Sequence, residues 1–160
     1  MAKISILMGS KSDLETVNET INVLKEFKVS FEAKVLSAHR TPKEVVKYVE
    51  VAPKGGTKVF IAAAGMSAAL AGVVASHTTL PVIGIPIETK NLKGLDSLLS
   101  TVQMPPGIPV ACMAIGKSGA KNAALFALEI LGLSDARIRV KLLNYKKQMR
   151  LKIKKTKIKV

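Results

Sequence analysis

With 160 residues and 48% apolar side chains, the chain can bury a core of its own within a single domain. Only 4% of residues are aromatic and Trp is absent, so the interior must be built from Ala, Val, Ile and Leu in close layers, as in an α/β sandwich. The net charge of +14 would suit a nucleic-acid binder, but 11 of the 25 Lys and Arg lie in residues 137–159 with no acidic residue among them, leaving residues 1–136 at +3; nucleic acid is therefore disfavoured as a partner.

Residues 3–8 read as a buried first strand, too short and too quickly followed by a polar turn to be a signal peptide. The turn is Gly9-Ser10-Lys11-Ser12-Asp13. A helix follows, with Ser12 as cap and Glu15 three residues on, and with Leu14, Val17, Ile21 and Leu24 at helical spacing. Residues 30–36 alternate as a second strand with Phe31, Ala33 and Val35 on one face. After Ser37-Ala38-His39-Arg40, a cap at Thr41, Pro42 at the first helical position and Glu44 mark a second helix. Residues 57–63 give a third strand, Ala64-Gly65-Met66-Ser67 a turn, and residues 68–76 a small-residue helix. A fourth strand follows at 81–85, a short helix at 95–100, a fifth strand at 110–115 and an Ala-rich helix at 118–131. Residues 59–87 hold no charged side chain and would be long enough to span a membrane. Gly65, Gly72, Pro81 and Pro86 break that stretch into pieces of strand and helix length, so no membrane partner is expected. Cys112 sits in an apolar run and reads as a core thiol; a lone cysteine permits a reducing compartment, and a cytoplasmic location is expected.

Strands alternating with helices imply right-handed crossovers and a parallel sheet of about five strands, flavodoxin-like or Rossmann-like. The catalytic α/β domain should cover residues 1–133. Residues 134–160 then form a basic C-terminal helix and tail, capped at Ser134 and striped by Ile138, Leu142, Tyr145 and Met149, with residues 151–160 strand-like or frayed.

In such folds the ligand lies beyond the carboxyl ends of the strands, where three of these turns would meet. The first turn offers a glycine, two hydroxyls and free helix-terminal amides, the equipment of an anion site, but it lacks the pattern of a P-loop or a dinucleotide fingerprint. His39 can carry a proton either way near neutral pH, and Arg40 beside it is a permanent fork for phosphate or carboxylate. His77, near a helix end, reads as a C-terminal cap. No paired His, clustered Cys or carboxylate pair stands at metal-ligand spacing.

Gly9-Ser10-Lys11-Ser12-Asp13, Ser37-Ala38-His39-Arg40-Thr41-Pro42, Ala64-Gly65, Leu80-Pro81-Val82-Ile83-Gly84-Ile85-Pro86, Asp96-Ser97-Leu98-Leu99-Ser100 and Gln103-Met104-Pro105 follow one another in an order that resembles the N5-carboxyaminoimidazole ribonucleotide mutases. The resemblance covers residues 3 to about 132. It implies a flavodoxin-like three-layer αβα sandwich assembled as a homo-octamer, with active sites at subunit contacts. The implied enzyme is an isomerase of purine biosynthesis that moves a carboxylate from N5 to ring carbon C4 with no cofactor and no metal. Its partners are then the ribonucleotide substrate and CO2. His39 would be the catalytic proton shuttle. Ser10, Ser12 and Asp13 would hold the ribonucleotide, Arg40 its phosphate, and Ala64 and Gly65 the CO2, with Ser37, Ala38 and Ser67 completing the binding set.

Two positions depart from the pattern. Bacterial mutases usually read Ala-Gly-Gly-Ala-Ala-His-Leu in the third turn, where this chain has Met66 and, in place of the histidine, Ala69. That turn is closer to the sister enzymes that carboxylate aminoimidazole ribonucleotide directly with CO2, whereas Arg40 stands where those sisters usually have Lys. The basic C-terminal segment carries no motif that matches the family. A non-catalytic nucleotide-binding or RNA-binding module is the alternative of another class.

Overall fold

The computed structural model describes residues 2–158. Contacts divide the chain into a compact unit that ends at Ala127 and a second that begins at Leu128.

The first unit is a five-stranded parallel sheet of order β2-β1-β3-β4-β5, from β1 (Ile4–Met8), β2 (Phe31–Val35), β3 (Val59–Ala64), β4 (Val82–Pro86) and β5 (Ala111–Cys112). Between them run α1 (Leu14–Glu26), α2 (Pro42–Val51), α3 (Leu70–Ser76) and α4 (Leu95–Val102), and α5 (Gly116–Gly132) begins after β5. This is the expected flavodoxin-like three-layer arrangement. Central strands β1, β3 and β4 are buried almost throughout, which explains their unbroken apolar runs. Register pairs Leu7 with Ala62 and Phe60 with Val82, so one face of the sheet meets Val45 and Val49 of α2 and Leu70, Ala71 and Val74 of α3. On the other side, α1 and the start of α5 are joined by Thr20 Oγ1, which donates to the Ala120 carbonyl at 2.7 Å.

Four local expectations shift. The first helix is not capped by Ser12 with Glu15: Ser10 and Asp13 form the capping box two residues earlier, on a short 3-10 turn, and α1 starts at Leu14. Thr41 holds the N-cap position of α2 as expected, but its hydroxyl makes no capping bond: it accepts from Ser37 N and donates to Ser37 O, closing the second turn instead. β2 is an edge strand, so Ala33 and Val35 of its supposed buried face are exposed. β5 pairs on one side only, right after Pro109, and shrinks to two residues, leaving Cys112 half-buried. No helix among the described residues is long and apolar enough to cross a membrane.

In the second unit, α6 (Ala136–Lys155) follows the end of α5. Its cap is Asp135, which accepts from Arg137 N, and not Ser134. Ile138 and Leu142 are buried and Tyr145 half-buried, while Met149, further along the expected stripe, is exposed. Lys146 Nζ reaches Glu129 Oε1 at 2.8 Å. The helix continues through residues 151–155, which were expected to be strand-like or frayed, and residues 159 and 160 lie outside the described part.

Candidate active site

Parallel strands deliver their following turns to one end of the sheet, and in the first unit those turns enclose a cavity of about 620 Å³. It is lined by Gly9, Ser10, Ser12 and Asp13 after β1, by Ser37, Ala38, His39 and Arg40 after β2, and by residues 64–70 after β3. All ten residues expected at the site therefore share one pocket. Sequence reading missed its fourth wall, Ile87, Glu88 and Thr89, which follow β4. The strand-end rule applied to β4 as to the other strands would have found them.

Asp13 is the most constrained of these side chains. It is only 7% exposed; its Oδ2 accepts from Ser10 N at 2.9 Å and its Oδ1 from the Ser12 hydroxyl at 3.3 Å. Burial pushes its carboxyl above the usual range, against the opposing pull of the Ser10, Ser12 and Gly9 donors and the Arg40 charge. The sequence folds this way because the 3-10 turn Lys11–Asp13 brings the Asp13 carboxylate back onto the backbone amides of Gly9 and Ser10.

Arg40 ties the second turn to the first. Its Nη2 donates to the Gly9 carbonyl at 2.7 Å, and its Nε and backbone amide both approach Ser37 Oγ, at 3.4 and 3.2 Å. A guanidinium has five donors, so three remain for an anion in the pocket. His39 is exposed at the pocket wall and makes no side-chain hydrogen bond among the described residues, leaving both ring nitrogens available. His77 is remote from this pocket: it ends α3, as expected, with Nδ1 3.8 Å from Glu50 Oε1.

The third turn supplies an apolar end to the pocket. Met66 holds a left-handed backbone (φ 58°) at 67% exposure, a conformation uncommon for a non-glycine residue. Gly65 allows close approach to the fourth wall, since a Cβ there would stand 3.1 Å from Thr89 Cγ2. One side of the cavity thus carries the Arg40 guanidinium, the Asp13 carboxylate and the Ser10 and Ser12 hydroxyls; the other brings Ala64, Gly65 and Ile87 together with Ser67, Glu88 and Thr89, and the His39 imidazole stands at the rim.

A family model described as AIR carboxylase matches residues 3–152. An N5-carboxyaminoimidazole ribonucleotide mutase of Saccharolobus solfataricus is 51% identical over 158 residues, 99% of each chain. A mutase of the same name from Bacillus subtilis is 53% identical over 132 residues, covering 82% of each. Among solved structures, the crystal structure of Treponema denticola PurE superposes with a TM-score of 0.85 at 31% identity, covering 94% of this chain and 92% of that one. The family match runs to residue 152, so most of α6 lies inside it, although the basic segment offered no motif to sequence reading.

Proposed function

The chain belongs to the AIR carboxylase family, and we propose that it acts as an N5-carboxyaminoimidazole ribonucleotide mutase, an isomerase of purine biosynthesis, with the pocket above the sheet as its active site. The observation that carries the residue assignment is the convergence of His39, Arg40, Asp13 and Gly65 on one cavity.

The donors of Arg40 left over from Gly9 and Ser37 face the 5′-phosphate, and Ser10, Ser12 and Asp13 take the ribose side of the ribonucleotide. The base then points toward Ala64 and Gly65. In the first half-reaction the bond from N5 to its carboxylate breaks; its electron pair stays on nitrogen, which takes a proton from the His39 imidazolium as CO2 is released. The CO2 is held at the apolar end, where few donors compete for it. In the second half-reaction C4 attacks CO2, a carbon–carbon bond forms, and His39 removes the C4 proton, returning to its starting state. One group serves both halves, and no net proton is consumed.

The finished site is proposed to lie at subunit contacts of a cytoplasmic homo-octamer. Support comes from α4, whose outward positions Leu95, Leu99 and Val102 are 49% to 51% exposed, an apolar stripe that a second subunit would cover.

A direct CO2-dependent carboxylase is the second reading, favoured by Met66 and Ala69 in the third turn. The test is a product assay with N5-carboxyaminoimidazole ribonucleotide in one vessel and aminoimidazole ribonucleotide with bicarbonate in another. Efficient conversion of the first is expected. Conversion mainly of the second would establish the direct carboxylase, and activity in neither would remove the enzyme assignment.

A further inference from the structure

The apolar end of the pocket has two sides. One is the Ala64–Gly65 turn; the other is Ile87 and Thr89, with Glu88 between them, and what fixes this second side lies outside the pocket. Gly65 is the point of contact, because a Cβ built there would meet Thr89 Cγ2 at 3.1 Å and Ile87 Cβ at 3.5 Å. An extra methyl at this place would require the Thr89 side chain to give by a few tenths of an ångström.

Residues 87–94 join β4 to α4. One sheet-like bond, from Ile87 N to the Ala64 carbonyl at 2.9 Å, starts the segment, and the rest is fastened by side chains of α4's first turn. Ser97 is fully buried, with its hydroxyl 2.8 Å from the Ile87 carbonyl and 2.9 Å from that of Gly94. Thr101 Oγ1 in turn donates to Ser97 O at 2.7 Å. Asp96 accepts the Thr89 hydroxyl on both carboxylate oxygens, at 3.2 and 3.3 Å. Because χ1 of a threonine places hydroxyl and methyl in fixed relation, turning the hydroxyl to Asp96 turns the methyl to Gly65.

The composition of α4 fits this task. Its buried positions are Ser97 and Thr101, while Leu95, Leu99 and Val102 face outward. On the inner face of this helix the Ser97 hydroxyl holds the loop, and Thr101 bonds back to Ser97 O within the helix.

We infer that Asp96 and Ser97 are positioning residues for carboxyl transfer: acting through Thr89 and Ile87, they fix the wall that keeps released CO2 against C4. The inference rests on the mutase reading. A looser wall leaves the first half-reaction intact and opens an uncoupled path, in which the bond to N5 breaks, nitrogen is protonated, CO2 escapes, and aminoimidazole ribonucleotide leaves as product.

The experiment measures that partition. Each variant is given N5-carboxyaminoimidazole ribonucleotide, and the fractions appearing as the C4-carboxylated product and as aminoimidazole ribonucleotide are quantified after subtracting the rate without protein. Thr89→Val keeps the shape and removes the donor; Asp96→Ala removes the acceptor; Asp96→Asn retains one carbonyl acceptor. The uncoupled fraction is expected to rise about tenfold in the first two and less in Asp96→Asn, with KM within about twofold of wild type, on the scale of small misplacements at a reacting centre. A second pair is independent of any loss of folding in those variants. Gly65→Ala should lose most activity by collision with the Thr89 methyl, and adding Thr89→Ser, which keeps the hydroxyl and deletes that methyl, should recover much of it.

An unchanged partition in Thr89→Val and Asp96→Ala overturns the inference, as does a double variant no more active than Gly65→Ala alone. Wild-type protein inactive on N5-carboxyaminoimidazole ribonucleotide overturns the mutase reading and this inference with it; active wild type with an unmoved partition overturns the inference alone.

Discussion

Asp13 is where stability and binding oppose one another. Its carboxyl is raised above the ordinary 3.8 chiefly by burial, so the folded state holds this proton more tightly than the unfolded chain does. The sign follows: the contribution of Asp13 to stability is full below the unfolded value and declines as pH rises through the folded one. At neutral pH the fold therefore carries an ionised group at a cost. Asp13→Asn keeps an acceptor for Ser10 N and removes the charge. It should melt at a higher temperature than wild type at pH 7, with the difference shrinking as pH falls toward 4, while affinity for the ribonucleotide drops. Thermal melts at the two pH values and a binding titration check both halves, and a variant less stable at pH 7 would contradict the account. His39 is the opposite case, exposed and with no side-chain hydrogen bond among the described residues, so His39→Asn should leave the melting temperature within about a degree while kcat falls by about 100-fold or more, the usual span of a proton-transfer group. A nucleotide-binding module without catalysis would show no such separation.

At the scale of elements, the sheet is set by close approach between β4 and its helices. A Cβ on Gly84 would collide with Thr101 Cγ2 and press on Val110 Cγ1 and Ala71 Cβ, so Gly84→Ala should destabilise the protein by about 1–3 kcal/mol, as read from denaturant midpoints. A second contact binds α2 to the sheet: Tyr48 OH lies 2.9 Å from both Ser5 Oγ and Glu32 Oε2, and Ser5 shares a hydrogen bond with Thr57. Burial first, then Glu32, push the phenol up to about 12. Its contribution is present below the ordinary value of 10.0 and is lost as pH rises toward 12, so Tyr48→Phe should be less stable than wild type at pH 8 and nearly equal to it at pH 12. These elements were legible in the sequence to the extent that their apolar patterns were governed by burial alone. β1, β3 and β4 are covered on both faces, and their runs stood out. β2 alternates like a half-buried strand yet lies at the edge, because alternation reports a favourable pleat and not which neighbour covers it. The capping signals at Ser12 and Thr41 pointed to helix starts within two residues of the real ones, but both hydroxyls serve the turns instead: Ser12 supports Asp13, and Thr41 closes on Ser37. The pocket's first three walls carried polar or catalytic residue types; the fourth, built on Ile87 and Thr89, did not announce itself because its role is shape.

The whole molecule presents two surfaces that a lone subunit would not be expected to keep in water. One is basic: residues 137–159 hold 11 Lys and Arg and no acid, and within α6 Lys146 pairs with Glu129 and Arg137 with Asp135. The other is apolar and belongs to α4, where Leu95, Leu99 and Val102 project outward from a helix whose inner face is committed to hydroxyls. Charge of one sign opposes self-association, whereas an uncovered leucine stripe favours it, so the α4 stripe is proposed as a surface on which copies meet. This makes a directional prediction for the proposed octamer. Leu99→Glu places a carboxylate in the middle of the stripe, where burial against a second copy would cost several kcal/mol, while in an isolated subunit the same side chain stays exposed. Native mass measurement should find the wild type at about eight times the 17.1 kDa chain and the variant at a smaller multiple, with circular dichroism unchanged. If active sites are completed at those contacts, catalysis should fall with the mass. Mutase activity that survives in a dissociated Leu99→Glu protein would place the whole site within one chain, and a variant that remains octameric would move the subunit contact away from α4.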